Sequence, residues 1–153
     1  MIITIRQYDP QNDAGLLDIR DGETVLRAGS TDLPLLSGQG LPEKAVLPEG
    51  IWIARSDERA IGAILFGVSH DSRSPAAVIH GITVDEPFRR RGIGGALMYK
   101  AELYALSRNI ERIITRTSPD NEAFLILLKK CWYSVISTDN GVLTMEKTRL
   151  RLR

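Results

Sequence analysis

The sequence predicts a mixed α/β domain with a central, mostly antiparallel sheet of about seven strands and helices on both faces. Two observations predict this class. Short runs rich in β-branched residues alternate with segments of helical apolar spacing. One strand–helix–strand unit requires a parallel pair, whereas short turns elsewhere predict hairpins. The chain has 153 residues, enough for one domain over residues 1–148 and a basic tail over residues 149–153.

The first third of the chain carries the weakest signals. Residues 2–8 are rich in β-branched side chains and predict a strand. Asp9 and Pro10 then predict the start of a helix that runs to about Arg20. Glycines and prolines break residues 21–50 into loops and short helices. Because so long a connection is often functional, we expect this segment to line the substrate side of the site.

The middle of the chain contains clearer elements. Two strands, over residues 51–55 and 60–68, flank a polar hairpin turn. A third strand follows over residues 76–84. A helix over residues 94–108 then leads to a strand over residues 112–117, which we expect to lie parallel to the third strand.

The last third predicts a helix and a hairpin. Ser118 followed by Pro119 is typical of a helix start, and the apolar residues after them continue with helical spacing. Asn140-Gly141 is a strong hairpin signal. It separates two predicted strands, over residues 132–138 and 141–147.

Composition limits the function. The formal net charge is +1, so we expect a protein that binds neither nucleic acid nor membrane. The single cysteine, Cys131, excludes an internal disulfide and suits a reducing compartment. We expect both Cys131 and the neighbouring Trp132 in the core or on a sheet face. Residues 1–6 lack the pattern of a signal peptide, which makes a cytoplasmic location the expectation.

One stretch carries the strongest chemical signal. Arg89, Arg90 and Arg91 precede a run with glycine at positions 92, 94 and 95, at the predicted start of the central helix. The first amides of a helix have no intrahelical acceptor, and they lie at the positive end of the helix dipole. Such a site binds phosphate, and nearby arginines add positive charge.

Two common phosphate-binding motifs do not fit this stretch. A P-loop needs Gly-x-x-x-x-Gly-Lys-Ser/Thr, and the sequence contains no such run. A dinucleotide fold needs Gly-x-Gly-x-x-Gly directly after the first strand, whereas the glycines here follow the fourth predicted strand. Another phosphate-containing ligand is therefore indicated.

Arg89-Arg90-Arg91-Gly92-Ile93-Gly94 resembles the Arg/Gln-x-x-Gly-x-Gly/Ala acyl-CoA signature of the GNAT N-acetyltransferase superfamily. The resemblance is strongest over residues 78–133 and weak before residue 51. It implies the acyl-CoA N-acyltransferase fold, in which the fourth and fifth strands separate beside the thioester. It also implies direct transfer of an acetyl group from acetyl-CoA to a primary amine in a ternary complex, with no metal. Many relatives dimerise through their last strands, so a homodimer is implied too.

The resemblance also implies how the cofactor is held. The pantetheine arm would pair with the backbone of residues 82–84, and the amides of residues 89–96 would hold the pyrophosphate. Gly92 and Gly94 would let the phosphates approach the backbone, and Asn121 would contact the cofactor from the other side. The full cofactor-binding set is Ile82, Thr83, Val84, Arg89, Arg90, Arg91, Gly92, Ile93, Gly94, Gly95, Ala96, Asn121 and Phe124.

Catalysis needs two proton transfers, because the amine must lose a proton and the thiolate must gain one. His80 is the candidate base, since an imidazole titrates near neutral pH and regular alternation places it on the same face as Ile82. Many relatives carry a tyrosine as the acid seven residues after the position of Asn121. That position is Leu128 here, and we expect it to face the cofactor cleft. The acid is therefore unassigned: water or another residue serves, or the chain is a non-catalytic acyl-CoA-binding module.

Overall fold

The computed structural model describes residues 2–20, 23–28, 31–34, 50–69, 75–148 and 150. Within these ranges the chain forms ten strands and two α-helices. In chain order they are β1 (Ile3–Gln7), β2 (Leu17–Arg20), β3 (Glu23–Ala28), β4 (Thr31–Pro34), β5 (Ile51–Ser56), β6 (Arg59–Ser69), β7 (Ala76–Val84), α1 (Ile93–Ser107), β8 (Arg112–Thr117), α2 (Glu122–Lys130), β9 (Ser134–Asp139) and β10 (Val142–Thr148).

The central sheet confirms the predicted fold class. Seven strands lie in the order β1-β5-β6-β7-β8-β10-β9. Every neighbouring pair is antiparallel except β7 and β8, which are parallel and joined through α1. A second, three-stranded antiparallel sheet is formed by β2, β3 and β4. Among the described residues, no helix is both long and apolar enough to cross a membrane.

The two faces of the central sheet pack into different hydrophobic clusters. Ala54 and Ile64 belong to a cluster that includes buried residues of both helices. Ile53 and Ala63, the adjacent residues of β5 and β6, belong to a cluster that includes Leu26 and Leu33 of the small sheet. We predicted helices on both faces. In the described ranges α1 and α2 share one cluster, and strands β3 and β4 contribute to the other.

The predicted helix over residues 9–20 is wrong. Residues 10–16 form turns, and β2 follows. Asp9 does begin one helical turn, because its carbonyl accepts the N–H of Asp13 at 2.7 Å. The turn does not propagate, since the Asp13 carboxylate accepts the Asp9 N–H at 2.8 Å and forms a buried ion pair with Arg55 of β5.

Most of the remaining boundaries agree with the sequence. Helix α1 begins and ends within one residue of its prediction. Helix α2 begins at Glu122 rather than Ser118, because Ser118 makes a turn instead: its hydroxyl accepts the Asp120 N–H at 3.2 Å and its carbonyl accepts the Asn121 N–H at 3.1 Å. The β9–β10 hairpin is confirmed, and both turn residues have positive φ, 50° at Asn140 and 77° at Gly141.

Of the loop predicted over residues 21–50, the structure describes β3, β4 and Gly50. Strands β3 and β4 stand where we expected loops or short helices. The rest of that segment and most of the basic tail lie outside the described residues, so the substrate-side prediction is not tested.

Candidate functional site

The central sheet opens between β7 and β8. Only Ala77 with Ile113 and Val78 with Ile114 form a pair, although β7 continues to Val84 and β8 to Thr117. At the next position, the Thr115 hydroxyl donates to the carbonyl of Ile79 at 2.9 Å. The strands therefore separate after two paired positions, and a side chain replaces the backbone hydrogen bond at the edge of the opening.

His80 lies in a β-bulge at this opening. Leu65 of β6 pairs with Gly81 and Phe66 pairs with Ile79, so His80 is an extra residue without an opposite partner in the register. The bulge shifts the alternation, and Ile79 and Ile82 reach the same cluster although they are three residues apart. The regular alternation that we used to place His80 with Ile82 is therefore interrupted.

The environment of His80 favours its neutral form. The side chain is half-buried, and desolvation lowers the pKa of His80 below its ordinary value of 6.5. A neutral imidazole has a ring nitrogen that can accept a proton. His80 can thus act as a base at neutral pH.

The N–H and carbonyl groups of alternate residues of β7 point to opposite sides, so only some of them face the opening. The Asp85 N–H donates to Ile61 of β6 at 2.7 Å. Because alternate residues of a strand direct their backbone groups to the same side, Thr83 also faces β6, whereas Ile82 and Val84 face the opening. The side chain of Ile82 is buried in the core, so only its backbone can contact a ligand there.

The turn after β7 is held by a buried carboxylate. Asp85 is 5% exposed and forms an ion pair with Arg59 at 2.7 Å. Its carbonyl accepts the Phe88 N–H at 2.9 Å, which closes a short 3₁₀ turn over Glu86–Phe88. Arg90 and Gly92 then adopt positive φ, 65° and 80°, and turn the chain into α1.

The start of α1 presents a row of unpaired amides. The first helical hydrogen bond runs from the Ala96 N–H to the Gly92 carbonyl at 3.0 Å. Among the described residues, no acceptor takes the amides of residues 90–95. Ile93 is buried through its side chain, while Gly92 and the three arginines before it are exposed. The arrangement suits an anion with several oxygen atoms.

The three glycines of this segment serve different purposes. Gly92 has a positive φ that other residues adopt only with strain. A Cβ at Gly95 would meet open space, which leaves the backbone accessible. A Cβ at Gly94 would lie 3.2 Å from Leu127 of α2. The absence of a side chain at Gly94 thus leaves room for Leu127 of α2, and the predicted phosphate approach at this residue stays a prediction.

The remaining predicted residues, Asn121, Phe124 and Leu128, lie in or next to helix α2 in different environments. Asn121 precedes the helix, is half-buried, and accepts the Leu125 N–H through its carbonyl at 3.0 Å. Phe124 and Leu128 are buried in the helix-side cluster, 2% and 0% exposed. The expectation that Leu128 faces a cleft is wrong, because its side chain is enclosed by core residues.

Sequence reasoning missed Thr115. It is 1% exposed on a strand whose other buried residues are Ile113 and Thr117. A buried hydroxyl needs a partner, so a threonine that alternates with Ile113 on the inward face of the strand was the available signal. Within the described ranges, no group of three or more His, Cys, Asp and Glu residues could hold a metal ion.

Comparisons with known proteins agree with this fold. The model of the acetyltransferase (GNAT) family matches residues 29–131. No curated protein matches the sequence.

Solved structures share the fold at low identity. A putative streptothricin acetyltransferase from Bacillus anthracis, in complex with acetyl coenzyme A, is 21% identical over 97% of this chain and 99% of its own, with a TM-score of 0.69. Ard1 from Thermoplasma volcanium is 22% identical over 97% and 99%, with a TM-score of 0.67. The PaiA N-acetyltransferase from Thermoplasma acidophilum, in complex with coenzyme A, is 19% identical over 68% and 61%, with a TM-score of 0.56. In this last relative and two others, the chain spans 59% to 66% of the solved protein.

Proposed function

The chain belongs to the acetyltransferase (GNAT) family, and we propose that it is an N-acetyltransferase that uses acetyl-CoA. In this proposal the acetyl group passes directly to a primary amine of a small molecule or a protein, within a ternary complex. One observation supports it above the others. One turn joins β7 to α1. The free edge of β7, beside the opening between β7 and β8, lies at one end of this turn, and the unpaired amides of residues 90–95 lie at the other.

The proposed donor site uses both ends of that turn. The amides of residues 90–95 bind the pyrophosphate of acetyl-CoA. The pantetheine arm extends along the free edge of β7, where it pairs with backbone groups as an added strand would. Ile82 and Val84 supply those groups, because Thr83 directs its own toward β6. Asn121 closes the site from the start of α2.

The proposed reaction is attack of the neutral amine on the thioester carbonyl. His80 accepts the proton of the ammonium group, directly or through a water molecule. A backbone N–H of β7 that faces the opening stabilises the oxyanion of the tetrahedral intermediate. Collapse of that intermediate forms the amide bond and breaks the carbon–sulfur bond, which releases the thiolate of CoA.

Leu128 cannot be the acid that protonates the thiolate. This side chain carries no proton to give, and it is enclosed in the core. We propose that solvent water supplies the proton, since a thiol with a pKa like that of cysteine, about 8.5, is mostly protonated near neutral pH without a dedicated acid.

A second candidate is a non-catalytic acyl-CoA-binding module, which the leucine at position 128 favours. One experiment separates the two. The protein is incubated with acetyl-CoA and a panel of small amines, amino acids and peptides with free N-termini, and free thiol is followed with time. The enzyme predicts thiol release that depends on one class of amine. The binding module predicts stabilisation of the fold by acetyl-CoA with no thiol release from any amine.

A homodimer is part of the proposal. Strand β9 ends the central sheet, and all six of its residues are exposed. Val135 and Ile136 are each 50% exposed, and Trp132 is 82% exposed. Apolar residues on an unpaired strand edge favour association with a second copy. Sedimentation velocity at micromolar concentration is expected to give the mass of a dimer, and a monomer at all concentrations would contradict this part.

A further inference from the structure

We propose that Arg89 is a positioning residue of the donor site and that Arg90 supplies the charge that binds phosphate. This inference rests on the proposed acyl-CoA function. The three arginines of the turn carry the same charge, but their surroundings in the structure differ.

Arg89 bonds to the strand that the ligand would follow. Its Nε donates to the carbonyl of Val84 at 2.9 Å, across five residues. Val84 is the last residue of β7, and its backbone faces the opening between β7 and β8. The carbonyl of Val84 is thereby occupied, which leaves the N–H of Val84 and both backbone groups of Ile82 for a ligand.

The same hydrogen bond closes the turn that orients the unpaired amides of residues 90–95. The Arg89 N–H donates to the Glu86 carbonyl at 3.1 Å, and the side chain then reaches back to Val84. The unpaired amides begin at the next residue. Arg89 therefore links the edge of β7 to the start of the anion site, and its position fixes the distance between the two.

The bond also limits what Arg89 can offer a phosphate. A guanidinium binds a phosphate most strongly through two parallel N–H groups. With Nε committed to Val84, the side-on pair of Nε and Nη is not available. The hydrogen bond itself needs a donor but no positive charge, so a neutral side chain with an N–H can replace it.

Arg90 and Arg91 differ from Arg89. The Arg91 guanidinium lies 5.7 Å from the centre of the Phe88 ring, a cation–π arrangement. Arg90 is exposed, and among the described residues its guanidinium has no partner. Arg90 also has a positive φ of 65°, so it lies at the bend from which the unpaired amides follow. Of the three guanidinium groups, that of Arg90 is the one without a contact among the described residues, and the proposal therefore assigns the phosphate to it.

The test compares Arg89→Gln, Arg89→Leu and Arg90→Gln by calorimetric titration with CoA at low and moderate salt. Arg89→Gln keeps an N–H donor but loses the charge, and it is expected to bind CoA within about twofold of the parent. Arg89→Leu loses both the N–H donor and the charge. It is expected to weaken CoA binding about fivefold, with the same relative change in affinity on adding salt as the parent protein. Arg90→Gln is expected to weaken binding about five- to tenfold and to reduce the salt dependence. Arg90→Gln is the matched control, because it removes the same charge one residue away.

Amide NMR spectra without ligand separate this inference from the proposed function. Arg89→Leu is expected to shift the amide signals of the turn from Val84 to Gly95, and Arg89→Gln to leave them close to the parent. If the parent binds no CoA, the proposed function fails, and the assignment of Arg90 to phosphate fails with it, while the spectra still decide the positioning role. If Arg89→Gln weakens CoA binding and its salt dependence as much as Arg90→Gln does, the division between the two arginines is overturned.

Discussion

The hydroxyl of Thr115 donates a hydrogen bond of 2.9 Å to the carbonyl of Ile79, one position beyond the last pair of the β7–β8 ladder. Thr115 is 1% exposed, so the bond is shielded from water. His80, the extra residue of the bulge, follows Ile79 directly. The bond therefore fixes the backbone next to His80, the candidate base, at the point where β7 and β8 separate.

We expect Thr115→Val to lower the free energy of unfolding by about 1–2 kcal/mol, because the carbonyl of Ile79 loses its donor while the side-chain volume is kept. Thr115→Ser keeps the hydroxyl and is expected to lose less of the hydrogen bond. Urea denaturation measures both. Thr117→Val is the control, since the Thr117 hydroxyl makes only a 3.4 Å contact with Ser118 and its loss is expected to cost below about 0.5 kcal/mol. Equal losses at the two positions would contradict the role of Thr115.

The lowered pKa of His80 sets a direction for stability against pH. Desolvation lowers the pKa of His80 in the folded protein, so the unfolded chain binds more protons in the interval between the two pKa values. Stability is then fully present above the ordinary histidine pKa and is lost as pH falls through the folded pKa. His80→Gln is expected to reduce the loss of stability as the pH falls from neutral through the ordinary histidine pKa and below it.

The titration itself can be followed by NMR of the imidazole C–H signals, and His80→Gln assigns the signal because the chain has two histidines. We expect a midpoint below 6.5 for His80. A midpoint at or above the ordinary value would show that burial does not govern this side chain, and would weaken its assignment as a base.

Leu128 is expected to tolerate neither truncation nor enlargement. Its side chain is fully buried, so Leu128→Ala is expected to cost about 2–5 kcal/mol. Leu128→Tyr overfills the same space at about 1–3 kcal/mol, and it is expected not to add an acid to the site. Ile126→Ala, on the exposed side of α2 at 55% exposure, is the control and is expected to change stability by about 0.5 kcal/mol or less. A fully stable Leu128→Tyr protein with faster thiol release would restore the cleft-facing interpretation.

Adding a side chain at Gly95 is expected to change stability and CoA affinity in opposite directions. Gly95→Ala places its Cβ in open space within a helix, so the free energy of unfolding is expected to rise by about 0.5–1 kcal/mol. The same methyl group is added to the helix turn whose amides the proposal assigns to the pyrophosphate, so affinity for CoA is expected to fall. Gly94→Ala is the control, because its Cβ would lie 3.2 Å from the end of the Leu127 side chain, and it is expected to raise stability less than Gly95→Ala does. An unchanged affinity in Gly95→Ala would argue against phosphate contact at this residue.

The central part of the fold was predictable because its signals are local. The Asn140-Gly141 turn has the positive φ values that this pair favours, and β7, α1 and β8 follow from apolar periodicity and one crossover rule. The unpaired amides at the start of α1 were predictable for the same reason, since the first amides of a helix have no intrahelical acceptor in any fold.

The remaining features depend on contacts between distant residues. Asp9 and Pro10 are a correct local signal for a turn, but the ion pair of Asp13 with Arg55, 42 residues away, ends that turn before a helix forms. The bulge at His80 is a property of the pairing between β6 and β7, and its local signal is limited to the neighbouring Gly81, a glycine within a strand. Trp132 was expected in the core or on a sheet face, yet it is 82% exposed with a φ of 71°. It occupies the left-handed position directly after α2, and that geometry carries its side chain into solvent.

The proposed donor site can be tested by titrating the isotope-labelled protein with acetyl-CoA and following its backbone amide signals. We expect the largest shifts at the amides of residues 90–95 and at those of Ile82 and Val84, and a smaller shift at the amide of Thr83. Binding without shifts at the start of α1, or shifts centred on another part of the sheet, would contradict the proposed donor site.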